Sequence, residues 1–253
     1  MPKWRSDSEG PDETGSEGPV FVPRTAVTVR AALSLLLLMG VWVALTRLGP
    51  AKGEAPTAGP SAPAAKSAPG FQEAYLGGGC FWCVEAALEQ LAGVGDVESG
   101  YAGGHLAAPG YAEVCTGQTG HAEVVRVPFD PKVIPYETLL DAFLLVHDPT
   151  SRDRQGADVG SQYRSIILVR DQAERKRAEA VLRGAQARFP RPIVTEVAVL
   201  KRFWPAEAEH QDYFQKHPEL PYCAGVIAPK LEKLRKARPQ AIKTPPTAGA
   251  SRP

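Results

Sequence analysis

Four cysteines, Cys80, Cys83, Cys115 and Cys223, are the side chains of this sequence best suited to covalent chemistry. Two of them fall in one segment, Gly77-Gly78-Gly79-Cys80-Phe81-Trp82-Cys83. Cys80 follows a glycine turn and opens a stretch of helical spacing. Its thiol would stand where unpaired backbone N–H groups and the helix dipole favour an anion, so it is expected to ionise readily and act as a nucleophile. Cys83 lies one turn further along the same face, within disulfide reach of an oxidised Cys80. The glycines are expected to permit a tight entry and to leave room for a substrate above the sulfur. Phe81 and Trp82 would wall that space with apolar surface.

Other chemistries fit a Cys-x-x-Cys. A structural zinc needs four ligands, usually as a second tight half-site. Cys115 with His121, or Cys223 with His210, could be conscripted, but neither forms one. A buried inert pair is a further alternative. The strongest enzymatic rival is a thioredoxin-like disulfide exchanger, whose signature is also a Cys-x-x-Cys after a strand. Four cysteines in 253 residues are too few for a disulfide-built scaffold. Cys115 reads as a small buried hydrophobe.

The elements that must hold these residues alternate. EAYLGGGC reads as a strand running into a glycine turn. FWCVEAALEQLAG carries Val84, Ala87, Leu88 and Leu91 at helical spacing, with Gly93 as a stop. HAEVVRVPFD alternates like a strand, and YETLLDAFLLVHD places Leu139, Leu140, Phe143 and Val146 on one helix face. SQYRSIILV is expected to be a strand, DQAERKRAEAVLRGAQARF a long amphipathic helix, IVTEVAVL a strand and AEAEHQDYFQKHP a last helical piece. Strands alternating with helices point to a layered α/β or α+β domain.

The rest of the chain divides clearly. Residues 1–24 are polar and rich in Gly, Pro, Glu and Asp, a composition that favours disorder. Ala31 to Thr46 are uncharged between Arg30 and Arg47. As a helix these residues reach roughly 24 Å, and snorkelling arginines extend them to the ~30 Å of a bilayer core. Residues 25–48 are therefore expected to be a single transmembrane helix or a signal sequence, with the anchor preferred. The domain beyond it would be extracytoplasmic (periplasmic), and a cleaved secreted form is the alternative. Residues 49–70 form a Pro/Ala linker, 71–236 are globular in composition, and 237–253 return to a disordered tail. A net charge of +1 with interleaved signs gives no electrostatic footprint for nucleic acid.

GGGCFWCVE at 77–85 resembles the active-site signature of A-type peptide methionine sulfoxide reductases. The likeness continues through GYAGG (100–104), PGYAEVCTGQTGHAEVV (109–125), FDP (129–131) and HDPTSRDRQGADVGSQYRS (147–165). It closes with PIVTEV (192–197), AEAEHQDYF (206–214) and PYCAGVIAPKLEKLRK (221–236). The resemblance thus covers about residues 71–236 in the family's own order.

It implies an α+β two-layer sandwich around a ferredoxin-like core. It also implies reduction of the S-epimer of methionine sulfoxide, protein-bound or free, with no bound cofactor or metal and with thioredoxin or another dithiol as reductant. On the matching positions, Cys80 attacks the sulfoxide sulfur and becomes a sulfenic acid, a reversible oxidation state. Glu123 is the acid that protonates the sulfoxide oxygen, Tyr111 and Tyr163 hydrogen-bond that oxygen, and Asp158 positions substrate backbone and water. Phe81 and Trp82 hold the ε-methyl. The resolving thiol is Cys83 or Cys223, and proximity favours Cys83. His121 and His210 are given structural roles. Gly110, Asp153 and Ser161 depart from the usual Thr or Ser, Asn and Thr, without removing a reacting group.

Overall fold

The computed structural model describes residues 69–244. The expected N-terminal disorder, the span or signal at 25–48, the linker as far as residue 68 and the end of the tail lie outside these residues. Among the described residues no helix is long and apolar enough to cross a membrane.

Strand β1 (Gln72–Gly78) is the centre of the sheet, because its apolar run is buried from Ala74 onward. It pairs antiparallel with β3 (Ala122–Phe129), where Leu76 faces Val125, and antiparallel with β6 (Ser165–Val169), where Leu76 faces Ile167. β2 (Glu98–Ala102) and then β8 (Phe203–Pro205) extend the β3 side, while β7 (Glu196–Val199) adds to β6 in parallel. The strand order is β7-β6-β1-β3-β2-β8. A separate two-stranded hairpin, β4 (Arg154–Gln155) and β5 (Asp158–Val159), stands beside it.

The helices are α1 (Phe81–Leu88), α2 (Tyr111–Cys115), α3 (Tyr136–Val146), α4 (Gln172–Ala185), α5 (Tyr213–Lys216) and α6 (Ala228–Ala237). Leu76, Val125, Val127 and Ile167 share one core with Val84 and Leu88 of α1, Leu140 and Phe143 of α3, Ala178 of α4 and Leu234 of α6. Each such aliphatic side chain, fully buried, contributes about 1.5–3 kcal/mol. The opposite face carries a smaller cluster of Tyr75, Ala102, Val124, Ile166 and Leu168 under Leu200 and Phe203. That second cluster explains why β3 is buried along its whole length rather than on alternate residues.

Several expected elements came out shorter. The first helix ends at Leu88, and Gly93 instead turns a loop at φ +84° that lets Val94 bridge to Phe129. The start of SQYRSIILV is a 3-10 turn, Ser161–Tyr163, and only Ser165–Val169 is strand. AEAEHQDYFQKHP holds a 3-10 turn at Ala208–His210 and the four-residue α5. Asp212 between them is left-handed at φ +53°, a conformation that ends helical propagation and that Asp tolerates. Packing also runs past Lys236: the Ala92 N–H donates to the Ala241 carbonyl, and the Lys243 N–H to that of Gln90, both at 2.7 Å.

Candidate active site

Cys80 is the N-cap residue of α1, and its thiol is 7% exposed. The glycines before it serve close protein packing. A Cβ on Gly79, whose φ is +96°, would lie 2.5 Å from the Gln155 side chain; one on Gly78 would meet Phe143 and His147. Gln155 is itself fixed by the Asp148 N–H at 3.0 Å and through its own amide to the Asp148 carbonyl. Only glycine lets the hairpin β4–β5 and α3 close on the helix entry from both sides.

The anion seat at the helix mouth is taken by a carboxyl. Glu123, on β3 and 2% exposed, accepts the Phe81 N–H through Oε2 at 2.9 Å. Burial raises the Glu123 carboxyl to about 8; the Phe81 N–H opposes this, and the charges of Asp158 and Cys83 add to it. The group is therefore a protonated acid at neutral pH.

The two thiols share a hydrogen bond and shift in opposite senses. Burial, the Cys83 hydrogen bond and the neighbouring Glu123 push the Cys80 thiol well up. The Cys80 hydrogen bond, outweighing burial, brings Cys83 down to about 6 with help from Lys230 and Tyr222. Between the two, burial at the helix mouth favours leaving the shared proton on Cys80. Readier ionisation of Cys80 was expected because its helix amides looked vacant, yet Glu123 occupies the nearest one.

Two phenols share the electrostatic field of Glu123. Burial raises the Tyr163 hydroxyl and Glu123 raises it further; Tyr111 is raised by burial and then by contact with the Cys115 thiol. Tyr111 begins α2, and its N–H is held at 2.8 Å by Glu207 Oε1, whose other oxygen accepts the Tyr101 hydroxyl at 2.9 Å. Tyr163 closes the 3-10 turn after β5. The left-handed Asp153, φ +47°, accepts the Gly160 N–H at that turn's start, so Asp in place of Asn preserves the conformation.

The aromatic wall is layered. Phe81 is buried, with its ring 6.5 Å from Tyr111 and 5.5 Å from His210. Trp82 is half-buried and stacks on Tyr213 at 3.7 Å, with Tyr222 edge-on at 6.1 Å. His210 also packs on Tyr111 at 4.3 Å, and His121 bonds the Gly104 N–H and the Leu106 carbonyl.

Asp158, half-buried on β5, accepts the Tyr222 hydroxyl at 2.9 Å, and that hydroxyl lies 3.7 Å from Cys83 Sγ. Cys223 follows Tyr222, is completely buried, and opens a π-helical turn, Cys223–Ile227, that runs into α6. Cys115 is exposed at the end of α2, not buried as expected, because α2 is a single surface turn that buries only Val114. Six of the nine candidate residues thus gather around the Cys80–Cys83 pair, and buried Cys223 lies within the field of Cys83. Sequence reasoning missed Tyr222, Glu207, Lys230 and Gln155. Their motifs were visible, but nothing in spacing alone brings them to Cys80.

Among the described residues, no three His, Cys, Asp or Glu side chains converge as a metal would require. A large cleft, about 1130 Å³, lies at the far end of α1 among Glu89, Val97, Gln211 and Phe214, away from the thiols.

Comparison with known proteins gives a consistent result. The peptide methionine sulfoxide reductase of Thermus thermophilus is 57% identical over 164 residues, 65% of this chain and 93% of that protein. The enzyme of Halobacterium salinarum is 54% identical over 169 residues, 66% of this chain and 95% of the other. The reduced-form crystal structure of Mxr1 from Saccharomyces cerevisiae matches with a TM-score of 0.60 at 34% identity, covering 62% of this chain and 92% of that one. Methionine sulfoxide reductase A of Corynebacterium diphtheriae matches at 0.55 and 34%, covering 61% and 79%. The family model for peptide methionine sulfoxide reductase matches residues 72–242, and with the mixed α+β fold and thiol site above it shows that this chain belongs to that family.

Proposed function

We propose that this chain reduces methionine-S-sulfoxide to methionine with Cys80 as the attacking sulfur and Glu123 as the acid. Thiol-dependent reduction of methionine sulfoxide is the family's reaction and this chain's. One observation carries the residue assignment: a buried, proton-holding Glu123 is docked on the first amide of the helix that Cys80 caps, with Tyr111 and Tyr163 in its field.

The steps follow from keeping charge out of a low-dielectric site. Tyr111 and Tyr163 receive the sulfoxide oxygen, Asp158 the neighbouring backbone, and Phe81 and Trp82 the ε-methyl. Glu123 gives its proton to the oxygen as the Cys80 proton passes to the Cys83 thiolate, so sulfur attacks as the S–O bond weakens. Oxygen leaves on Cys80 as a sulfenic acid, and methionine departs. Cys83 then displaces hydroxide from Cys80, which leaves as water with the Cys83 proton, and a disulfide remains. A dithiol such as thioredoxin restores both thiols, and Glu123 regains its proton from solvent. No bound cofactor enters the sequence.

In single-turnover mixing of reduced enzyme with a chromophore-tagged methionine-S-sulfoxide, the native chain yields methionine and Cys80→Ser yields none. Full activity in Cys80→Ser would reject the assignment. A disulfide exchanger would instead reduce insulin disulfides faster than sulfoxide.

We also read β1-α1-β2-β3-α3-β6 as a ferredoxin-like core, which the β6-β1-β3-β2 strand order supports. The uncharged Ala31–Thr46 stretch supports a single-pass anchor within 25–48 and an extracytoplasmic domain. Protease treatment of intact cells tests this, since an extracytoplasmic domain is cleaved and a cytoplasmic one is protected.

A further inference from the structure

One half-buried hydroxyl beside the thiols has no task in these steps. Tyr222 comes to the thiols from the C-terminal segment. Its hydroxyl donates to Asp158 Oδ2 at 2.9 Å and lies 3.7 Å from Cys83 Sγ, and it also contacts Cys80. Its ring is fixed edge-on to Trp82 at 6.1 Å. The segment that carries it enters the rare π-helical turn Cys223–Ile227 and is pinned below by buried Ile227, Leu231 and Leu234.

We propose that Tyr222 is the positioning residue of the resolution step: anchored on Asp158, its hydroxyl holds Cys83 Sγ against the Cys80 sulfenic acid and makes Cys83 the first resolving thiol. The inference rests on the reading of Cys80 as the attacking sulfur.

Geometry favours this role in three ways. The Tyr222 hydroxyl lies 2.9 Å from Asp158 Oδ2 and 3.7 Å from Cys83 Sγ, so it can turn its proton from the carboxylate to the sulfur as Cys83 gives up its own. Closing a disulfide needs the two β-carbons within about 3.5–4.5 Å, so a sulfur free to rotate away would miss its partner. Cys223, by contrast, is 0% exposed and its backbone is held inside the π turn. The step balances. The Cys83 electron pair forms the S–S bond, the Cys80 S–O bond breaks, and hydroxide leaves with the Cys83 proton as water. Cys80 and Cys83 share the oxidation that the sulfoxide supplied.

The groups facing Cys83 are Cys80 at the helix mouth, Glu123 from β3, Tyr222 and Cys223 from the C-terminal segment, and Lys230 from α6. Of these, Tyr222 alone links the resolving thiol to Asp158.

Tyr222→Phe in the full chain keeps the ring and removes the hydroxyl. After one turnover with methionine-S-sulfoxide, the Cys80 sulfenic acid is trapped with dimedone at timed intervals. Its lifetime is expected to lengthen about tenfold in Tyr222→Phe, the scale of one lost hydrogen bond to a reacting group. The pH midpoint of its decay is expected to move upward, because the hydroxyl that favours the Cys83 thiolate is gone. Tyr222→His, which returns a ring N–H to the same space, should recover part of both effects. An unchanged lifetime overturns the inference, and so does a longer lifetime with an unmoved midpoint, which would report general loosening. If the native chain forms neither methionine nor an adduct, the Cys80 reading fails first, and this inference with it.

Discussion

Glu123, on β3 at the mouth of α1, and Glu85, within α1, are two buried carboxyls. They are 2% and 1% exposed, and burial raises each to about 8. Their local bonds are also similar: Glu123 accepts the Phe81 N–H at 2.9 Å, and Glu85 accepts the Ser99 hydroxyl at 3.0 Å. The difference lies in what else each one meets. Glu123 shares its space with Cys83, Asp158 and the phenols, whereas Glu85 faces the carboxylates of Glu89 and Asp212. A raised carboxyl therefore reports burial, and only its neighbours decide whether its proton has anywhere useful to go.

The largest expected effect tests that statement directly. Glu123→Gln should slow oxygen transfer by roughly 10²–10⁴-fold, the usual weight of a general acid. Glu85→Gln should stay within about threefold of the native rate, because its proton faces no substrate atom. Rapid-quench measurement of methionine formed in one turnover gives both numbers. A Glu85→Gln enzyme as slow as Glu123→Gln would erase the distinction.

The pH dependence separates the pair again. Glu123 must be protonated to act, so oxygen transfer should fall as pH rises through about 8, approaching tenfold per unit beyond it. That alkaline limb should persist in Glu85→Gln and vanish in Glu123→Gln. A limb that survives removal of Glu123 would assign the acid elsewhere.

On the thiol side the contrast is between Cys83 and Cys223. Cys83→Ser should still form about one methionine per enzyme, more slowly because the group that takes the Cys80 proton is gone, and should lose at least tenfold in steady-state turnover with a dithiol reductant, because nothing close then clears the sulfenic acid. Cys223→Ser should retain steady-state turnover, since its thiol is sealed in the π turn. The reverse pattern would make the tail cysteine the first resolver and would remove the basis for Tyr222's role.

How much of this was legible in the sequence depended on range. Cys80, Phe81, Trp82 and Cys83 are one local unit, and glycine before helix was enough to place them. Glu123 entered only through the family resemblance, because its strand register opposite Tyr101 brings it to the helix mouth and no short-range pattern encodes that pairing. The occupied amide at the helix mouth was not foreseen for the same reason: the carboxyl that takes it comes from 42 residues away. β2 was overlooked because ESGYA, with Gly100 pressed against Phe203 and the Trp204 backbone, lacks the apolar alternation of a strand. The last helical piece was overextended because Asp212's left-handed backbone leaves no mark in hydrophobic periodicity.

The smallest effect is in stability, and there the two glutamates should behave alike. A carboxyl that titrates near 4.5 when unfolded and about 8 when folded holds its proton in the native chain between those limits. Its contribution is fully present below the lower value and is lost as pH rises through the upper one, with a slope of at most about 1.4 kcal/mol per pH unit. Neighbouring Glu89, also raised by burial, titrates in the same region and will blunt the slope of Glu85. Urea unfolding at pH 5 and pH 8 should therefore show the native chain losing about 1–3 kcal/mol more than Glu85→Gln over that interval. The amide keeps the side chain's shape and the bond from Ser99, so at pH 5 the two should differ little. Glu123→Gln should flatten the same interval. Equal flattening by both substitutions, beside rates that differ by orders of magnitude, would show that burial sets the proton affinity of each glutamate while proximity to the sulfur sets its use. If Glu85→Gln leaves the pH dependence of unfolding unchanged, Glu85 is ionised in the folded chain, and its likeness to Glu123 ends at the burial of its side chain.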